Sequence, residues 1–348
     1  MRILFDIGHP SFVHLFRKAA QNAMVSGYDV LFSYRNKDQC DVLLTAFGLP
    51  AVQTGKNYKT KSGKLKGFWL NSVHLAKVVR NFKPDLVLSG ASPYASVVCG
   101  LSGIKHFVFD DTENKEQVVF YRLGSTLIFT PEPFTLDLGH KHIRYPGLHE
   151  LAYLPAGEPA RKIHGKKPTI FFRFVSWNAT HDFFRNGFSM QQKTELIDHF
   201  KAKANIIISS EQPLPQTLEQ YRYSGPVEKI HDALGSSDLY IGESATMASE
   251  AACMNVPAVY CDPVGRSYTD KLQQEYQLVY NFRCGESCIS ALLEKAEELL
   301  KTHNSTQSYT LFLKDYINLS AFIFWLIEHA DLKNLREELV KNEFFKQF

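Results

Sequence analysis

Short apolar runs recur along the chain and alternate with longer stretches whose apolar residues return at helical spacing. In the first half Ile3-Leu4-Phe5, Val30-Leu31-Phe32, Leu86-Val87-Leu88, His106 to Phe109 and Leu127-Ile128-Phe129 read as strands. Phe12 to Ser26 and Trp69 to Phe82 carry the helical pattern, and Gly27 stands just past the first, where glycine commonly ends a helix. A looser segment rich in Pro, Gly and Lys follows at 155–168 and reads as a linker. The pattern then resumes. Ile170 to Val175, Ile206-Ile207-Ile208, Leu239-Tyr240-Ile241 and Ala258-Val259-Tyr260 are expected strands. Met190 to Lys203, Thr246 to Met254 and Ser287 to Lys301 are expected helices. Alternation of this kind predicts parallel sheets covered by helices, hence an α/β fold in two halves. The expected division is a first domain over 1–155, a second over 156–310, and C-terminal helices over 311–348 that pack back across the first.

Composition narrows the class. At 348 residues, with 45% hydrophobic and 22% charged positions, the chain can build two ordinary cores. A net charge of +3 is too mild for nucleic acid to be the expected partner. Six cysteines fall at 40, 99, 253, 261, 284 and 288. Only Cys284 and Cys288 are close, with no second pair to complete a zinc site, so reduced thiols and a cytoplasmic setting are expected. The N-terminus runs directly into a strand, without a secretory apolar region. Leu319 to Ile327 is short of the ~20 residues that span a bilayer.

Ligands of open parallel sheets bind beyond the carboxyl ends of the strands. The segment Leu239 to Ala252 has that form: a strand, a small-residue turn, then a helix. Free N–H groups at such a helix start favour an anion such as a diphosphate, and Ser244 and Thr246 add hydroxyl donors. Glu250 follows one turn on from Thr246 and is placed to accept from ribose hydroxyls. An ordinary helix capped by Ser244 or Thr246, with Glu250 solvated, fits the same spacing.

The segment resembles the C-terminal nucleotide-sugar signature of GT-B proteins. These include the transferase that adds N-acetylglucosamine to lipid-linked precursors and the non-hydrolysing UDP-N-acetylglucosamine 2-epimerases. The resemblance implies a GT-B-like fold of two Rossmann-like doubly wound domains facing a cleft. It implies phosphates at Ser244, Ala245 and Thr246, and ribose at Glu250. It also implies that Lys229 to Leu234 lines the base pocket, through the main chain at Ile230 and beside His231. Nearly the whole chain is similar to a family known as domain of unknown function number 354. The marks are Asp6-Ile7-Gly8-His9-Pro10, Phe109-Asp110-Asp111-Thr112-Glu113, Tyr145 to Leu154, and Arg173 to Asp182.

Other residues carry candidate chemistry. His9 and His14 flank the first strand–helix turn and suit a general base or phosphate partner; capping or packing would place them equally. Asp110, Asp111 and Glu113 follow a strand and suit acid–base work, or the capping of the next helix. No D-x-D occurs, so no metal is expected at the diphosphate. Arg173, inside an apolar strand, needs a partner: a phosphate, with Ser176 beside it, or a carboxylate. His181 and Asp182 in the loop beyond suit a leaving group or acceptor, or a loop hydrogen bond. His149 and Glu150 suit a hinge as well as catalysis. Lys56, Lys59, Lys61, Lys64 and Lys66, beside Phe68-Trp69-Leu70, read as a basic loop that either touches anionic lipid or is simply solvated.

The expected function is a metal-independent glycosyltransferase with a nucleotide sugar, UDP-linked, as substrate and no further cofactor. Its acceptor would be a glycan or lipid-linked molecule in surface glycan synthesis. The alternatives are a non-hydrolysing 2-epimerase and a non-catalytic nucleotide-sugar-binding protein. The expected setting is cytoplasmic, with a peripheral contact at the inner membrane face.

Overall fold

The computed structural model describes residues 1–36, 39–56, 61–113, 115–154, 167–176, 187–283, 289–302, 306–341 and 343–348. The chain divides into two compact units, Met1–Tyr153 with Tyr316–Phe348, and Leu154–Asp315. The C-terminal helices thus separate at residue 315, between the two units.

The first unit holds seven parallel strands: β1 (Arg2–Ile7), β2 (Asp29–Asn36), β3 (Ala51–Lys56), β4 (Leu86–Gly90), β5 (Lys105–Phe109), β6 (Leu127–Pro131) and β7 (His142–Tyr145). Their order is β3-β2-β1-β4-β5-β6-β7, the Rossmann order with one strand added. β1 and β4 are buried through their apolar residues, as a sheet covered on both faces requires. The helices are α1 (Pro10–Val25), α2 (Cys40–Ala46), α3 (Lys61–Phe82), α4 (Pro93–Ser102) and α5 (Lys115–Gly124). α3 begins eight residues before the expected Trp69. The lysine-rich segment from Lys61 to Lys66 is therefore helix and not loop, and Lys56 closes β3. The edge strands β3 and β7 were not expected; both are short and carry polar residues.

The second unit holds β8 (Thr169–Phe174), β9 (Asn205–Ser210), β10 (Leu239–Gly242), β11 (Ala258–Cys261) and β12 (Val279–Phe282), all parallel, in the order β12-β11-β10-β8-β9. That is the flavodoxin-like order, with its reversal between β8 and β10. Its helices are α6 (Met190–Phe200), α7 (Gln216–Glu219), α8 (Ile230–Gly235), α9 (Ala245–Cys253), α10 (Ser267–Gln274), α11 (Ile289–Thr302) and α12 (Thr306–Asp315). Ser189 closes a capping box with Gln192 at the start of α6, so that helix begins where the pattern placed it. Phe172, Ile197, Phe200, Ile241, Val259 and Leu292 are among the residues that fill its core.

α13 (Leu319–Glu328) and α14 (Leu335–Leu339) complete the first unit. α13 is apolar nearly all round, and Leu319, Phe322, Ile323, Leu326 and Ile327 are buried. It packs on α1, and the ring of Phe322 meets Phe129, Tyr145, Phe345 and Phe348. Gln307–Glu328 is apolar enough by length and composition to cross a membrane, but it is broken between α12 and α13.

Candidate functional site

The strand order of each sheet reverses at one place, and several of the candidate residues lie at or near it. In the second unit it lies beyond β8 and β10. Ser244 adopts an extended conformation, and its Oγ accepts from Met247 N, which caps α9. Tyr240, buried in β10, donates its hydroxyl to Ser244 O at 3.0 Å and fixes the turn. Ala245 and Thr246 form the half-buried first turn, whose N–H groups lack acceptors within the helix. Glu250 faces inward and is not solvated. It is 5% exposed, and its Oε1 lies 2.9 Å from His231 Nε2 on α8. Ile230 opens α8. The two segments expected to hold ribose and base are thus brought together by a hydrogen bond.

Arg173 has partners on the neighbouring strand. Its guanidinium donates to Ser209 Oγ at 2.7 Å and to Glu211 Oε1 at 2.5 Å. The register explains this, because Arg173 stands opposite Ser209 on β9 and Gly242 on β10. Glu211 accepts a second bond from Ser176 N at 3.0 Å, so Arg173 acts on Ser176 through a carboxylate. Buried Glu243 accepts from Val175 N at 3.0 Å and from Phe188 N. Neither Glu211 nor Glu243 was singled out in the sequence, although both follow the last residue of a strand directly. His181 and Asp182 lie outside the described residues.

In the first unit the reversal lies beyond β1 and β4. His9 caps α1, its Nδ1 accepting from Ser11 N, with Pro10 as the first helical residue. Ser92 and Pro93 repeat the arrangement at the start of α4. Beneath His9, Asp6 is fully buried and receives Arg35 Nη1 at 3.0 Å and Ser33 Oγ at 2.8 Å. A side chain at position 8 would begin 2.7 Å from Arg35 Nη2, so the Arg35 guanidinium would have to shift to admit it. His14 does not join this group. It is buried on α1 and packs against Phe47 and Tyr153.

The three carboxylates after β5 part company. Asp110 is wholly buried and accepts from Thr112 N, Thr112 Oγ1 and, at 2.6 Å, Tyr121 Oη. Burial raises its pKa above the usual range, against the pull of those bonds. Glu113 takes a left-handed backbone, φ 56°, and accepts from Thr135 N and Oγ1 at 2.7 and 2.9 Å. Asp111 lies 3.2 Å from Nδ1 of His149, which is buried between Phe12 and Tyr145. Burial pushes the His149 imidazolium down. Asp111, with Glu150 and Asp110 behind it, outweighs this and holds the pKa above the ordinary value. Of the groups in this unit, Asp111 and His149 form the pair suited to moving a proton.

Among the described residues, no group of three or more His, Cys, Asp or Glu could hold a metal ion. Cys40, Cys99, Cys253 and Cys261 are buried, while Cys284 and Cys288 lie outside the described residues. Two surface hollows lie away from these residues. One, about 420 Å³, is bordered by Tyr34, Asp41 and Leu49; the other, about 750 Å³, by Met190, Glu195 and His199.

No protein-family model and no curated protein sequence matches the chain. Solved structures do match. One is a Listeria monocytogenes protein whose assigned activity is UDP-N-acetylglucosamine 2-epimerase, at TM-score 0.66, 10% identity, and 95% and 97% coverage of this chain and that one. Another is S. aureus MnaA with UDP, at TM-score 0.65, 11% identity and 98% coverage of both. A third is the Streptomyces sp. SF2575 glycosyltransferase SsfS6 with thymidine diphosphate, at TM-score 0.60, 14% identity, and 95% and 100% coverage. At these identities the likeness shows the fold: the chain has the GT-B-type pair of Rossmann-like α/β domains.

Proposed function

We propose that the chain is a nucleotide-sugar-dependent glycosyltransferase of hexosyltransferase type. It would serve cell-surface glycan or glycolipid synthesis on the cytoplasmic side of the membrane. The observation that carries this reading is the buried Glu250–His231 pair beside the Ser244-capped start of α9. It joins an anion-attracting helix start to a carboxylate suited to ribose, which is the pairing a nucleoside diphosphate needs. UDP and thymidine diphosphate in the solved structures of like fold support a nucleotide ligand. The donor is taken to be UDP-linked. The motifs shared with domain of unknown function number 354 support a kinship with that family, although no family model matches.

In this reading transfer breaks the bond from the anomeric carbon to the diphosphate and forms one to the acceptor oxygen. N–H groups of Ala245 and Thr246 stabilise the departing diphosphate, as fixed donors do without reorganising. Ser176, held by Glu211 and through it by Arg173, borders the same strand ends. Asp111, oriented by His149, takes the acceptor proton, with His9 and Glu113 as the other candidate bases. The acceptor is a glycan or a lipid-linked molecule, and a peripheral contact with anionic membrane belongs to the same reading.

A second reading is a 2-epimerase, favoured by the carboxylates and His149 after β5 and by the likeness to the Listeria protein. Incubation with a panel of UDP-sugars, with and without a membrane extract as acceptor source, distinguishes them. A transferase releases UDP only with the extract. An epimerase converts the sugar nucleotide alone. Binding without turnover in either tube leaves a nucleotide-sugar-binding protein.

A further inference from the structure

The helices α3, α4 and α5 lie side by side on one face of the first sheet. Their outer surface is unusual for a surface in water. Of fourteen exposed large hydrophobic side chains among the described residues, seven belong to these three helices: Trp69, Leu70 and Val73; Leu101; and Val119, Phe120 and Leu123. Trp69 is 67% exposed and Leu123 79%. The ring of Phe68 bridges the helices, 5.6 Å from Tyr94 on α4 and 5.5 Å from Phe120 on α5. Exposed apolar side chains gathered on three neighbouring helices mark a contact with something else.

Charge says what that partner is. The three helices carry seven Lys or Arg and a single acid, Glu116. α3 alone has Lys61, Lys64, Lys66, Lys77 and Arg80 with no Asp or Glu. By sequence these three helices carry a net +6 against +3 for the whole chain, so the rest of the molecule is net acidic. Exposed Lys66, Trp69, Leu70, Val73, Lys77 and Arg80 fall at helical spacing along one stripe of α3. Cations flank an apolar centre there, with Trp among the apolar groups. This is the pattern of a helix that lies in a lipid headgroup layer.

The geometry points to the outer face of α3, α4 and α5 as a surface that docks on an anionic lipid bilayer. The apolar side chains enter the headgroup boundary, and the lysines and arginines pair with lipid phosphates. This deepens the reading of a chain that works beside a membrane, and names the residues that hold it there. The full chain is mixed with vesicles of phosphatidylglycerol and phosphatidylcholine, or of phosphatidylcholine alone, and sedimented. Binding is expected to the anionic vesicles, weakening with salt. Lys66→Glu with Lys77→Glu should lower the partition by about thirtyfold or more. Trp69→Ser with Leu123→Ser should lower it by about tenfold or more, with the melting temperature unchanged because both side chains are exposed. Equal partition to the two vesicle types would overturn the proposal, as would double variants that bind like the parent chain. If no vesicle is bound and Trp69→Ser instead turns a dimer into a monomer, the face is a protein interface and the proposal fails. UDP binding is measured separately on the same samples, so loss of one activity does not count against the other.

Discussion

Replacing Glu250 with alanine separates a ribose-holding carboxylate from a merely structural one. Glu250 is buried, and its Oε1 pairs with His231 Nε2 at 2.9 Å. A hydrogen bond to a charged group contributes about 1.5–3 kcal/mol. If Glu250 binds the ribose hydroxyls, Glu250→Ala should raise the Kd for UDP by about ten- to a hundredfold. The variant also loses the His231 contact, so its folding stability should fall by a similar energy. His231→Ala provides the control. It breaks the same pair but keeps the carboxylate, so it should lose comparable stability while the Kd rises by clearly less than in Glu250→Ala. Isothermal calorimetry with UDP, well below the melting temperature of each variant, reads the affinity; urea unfolding reads the stability. A folded Glu250→Ala with unchanged UDP affinity would refute the ribose role. Equal losses of affinity in both variants would refute it too, since the pair would then act only by shaping α8 and α9.

Three further outcomes follow from groups in the first unit. His149 has a raised pKa, so its contribution to stability is complete below the unfolded value of about 6.5 and is lost as pH rises through the folded one. Asp111→Asn should therefore cost about 1–3 kcal/mol at pH 6 and less at pH 9, read by urea unfolding at both; equal costs would sink the pairing. His106, fully buried beside Ser89 Oγ at 2.8 Å, is pushed down by burial to about 4. Its neutral form supports the fold above about pH 6.5, and up to about 3 kcal/mol is lost as pH falls from there toward 4. His106→Gln should flatten that acid limb, and an unchanged limb would assign it to other groups. A side chain at position 124 would start 1.9 Å from Ser96 O, where α5 crosses α4, so neither backbone can yield cheaply. Gly124→Ala should destabilise by about 3 kcal/mol, seen as a lower urea midpoint; a neutral variant would mean that the crossing is looser than described.

The division between what was legible and what was not follows the range of the interactions. Apolar runs such as Leu86 to Leu88 and Leu239 to Ile241 named the central strands, because burial on both faces leaves a continuous signature in the sequence. Three of the four edge strands, Ala51–Lys56, His142–Tyr145 and Val279–Phe282, escaped, because an edge tolerates polar residues; the fourth, Asn205–Ser210, kept the run Ile206-Ile207-Ile208 and was legible. The turn before α9 was legible as well. A strand, Ser244 and a small-residue helix start form a local signal, and Ser244 does cap the helix.

The sequence by itself determined the alternation of elements, and with it two parallel sheets and the strand ends where ligands of such sheets bind. It could offer several partners for each candidate, since a side chain's chemistry is fixed by type but its neighbour is fixed by strand order. Only the tertiary structure decided among them. Strand register sets Arg173 opposite Ser209 and brings it to Glu211. The packing of α1 buries His14 against Phe47 and Tyr153. A chain separation of nineteen residues closes to a hydrogen bond between His231 and Glu250, and one of thirty-eight to the ion pair of Asp111 and His149. Local spacing carries information over a turn or two of helix. These pairings depend on which strands lie next to one another, which is settled by how the whole sheet buries its apolar faces.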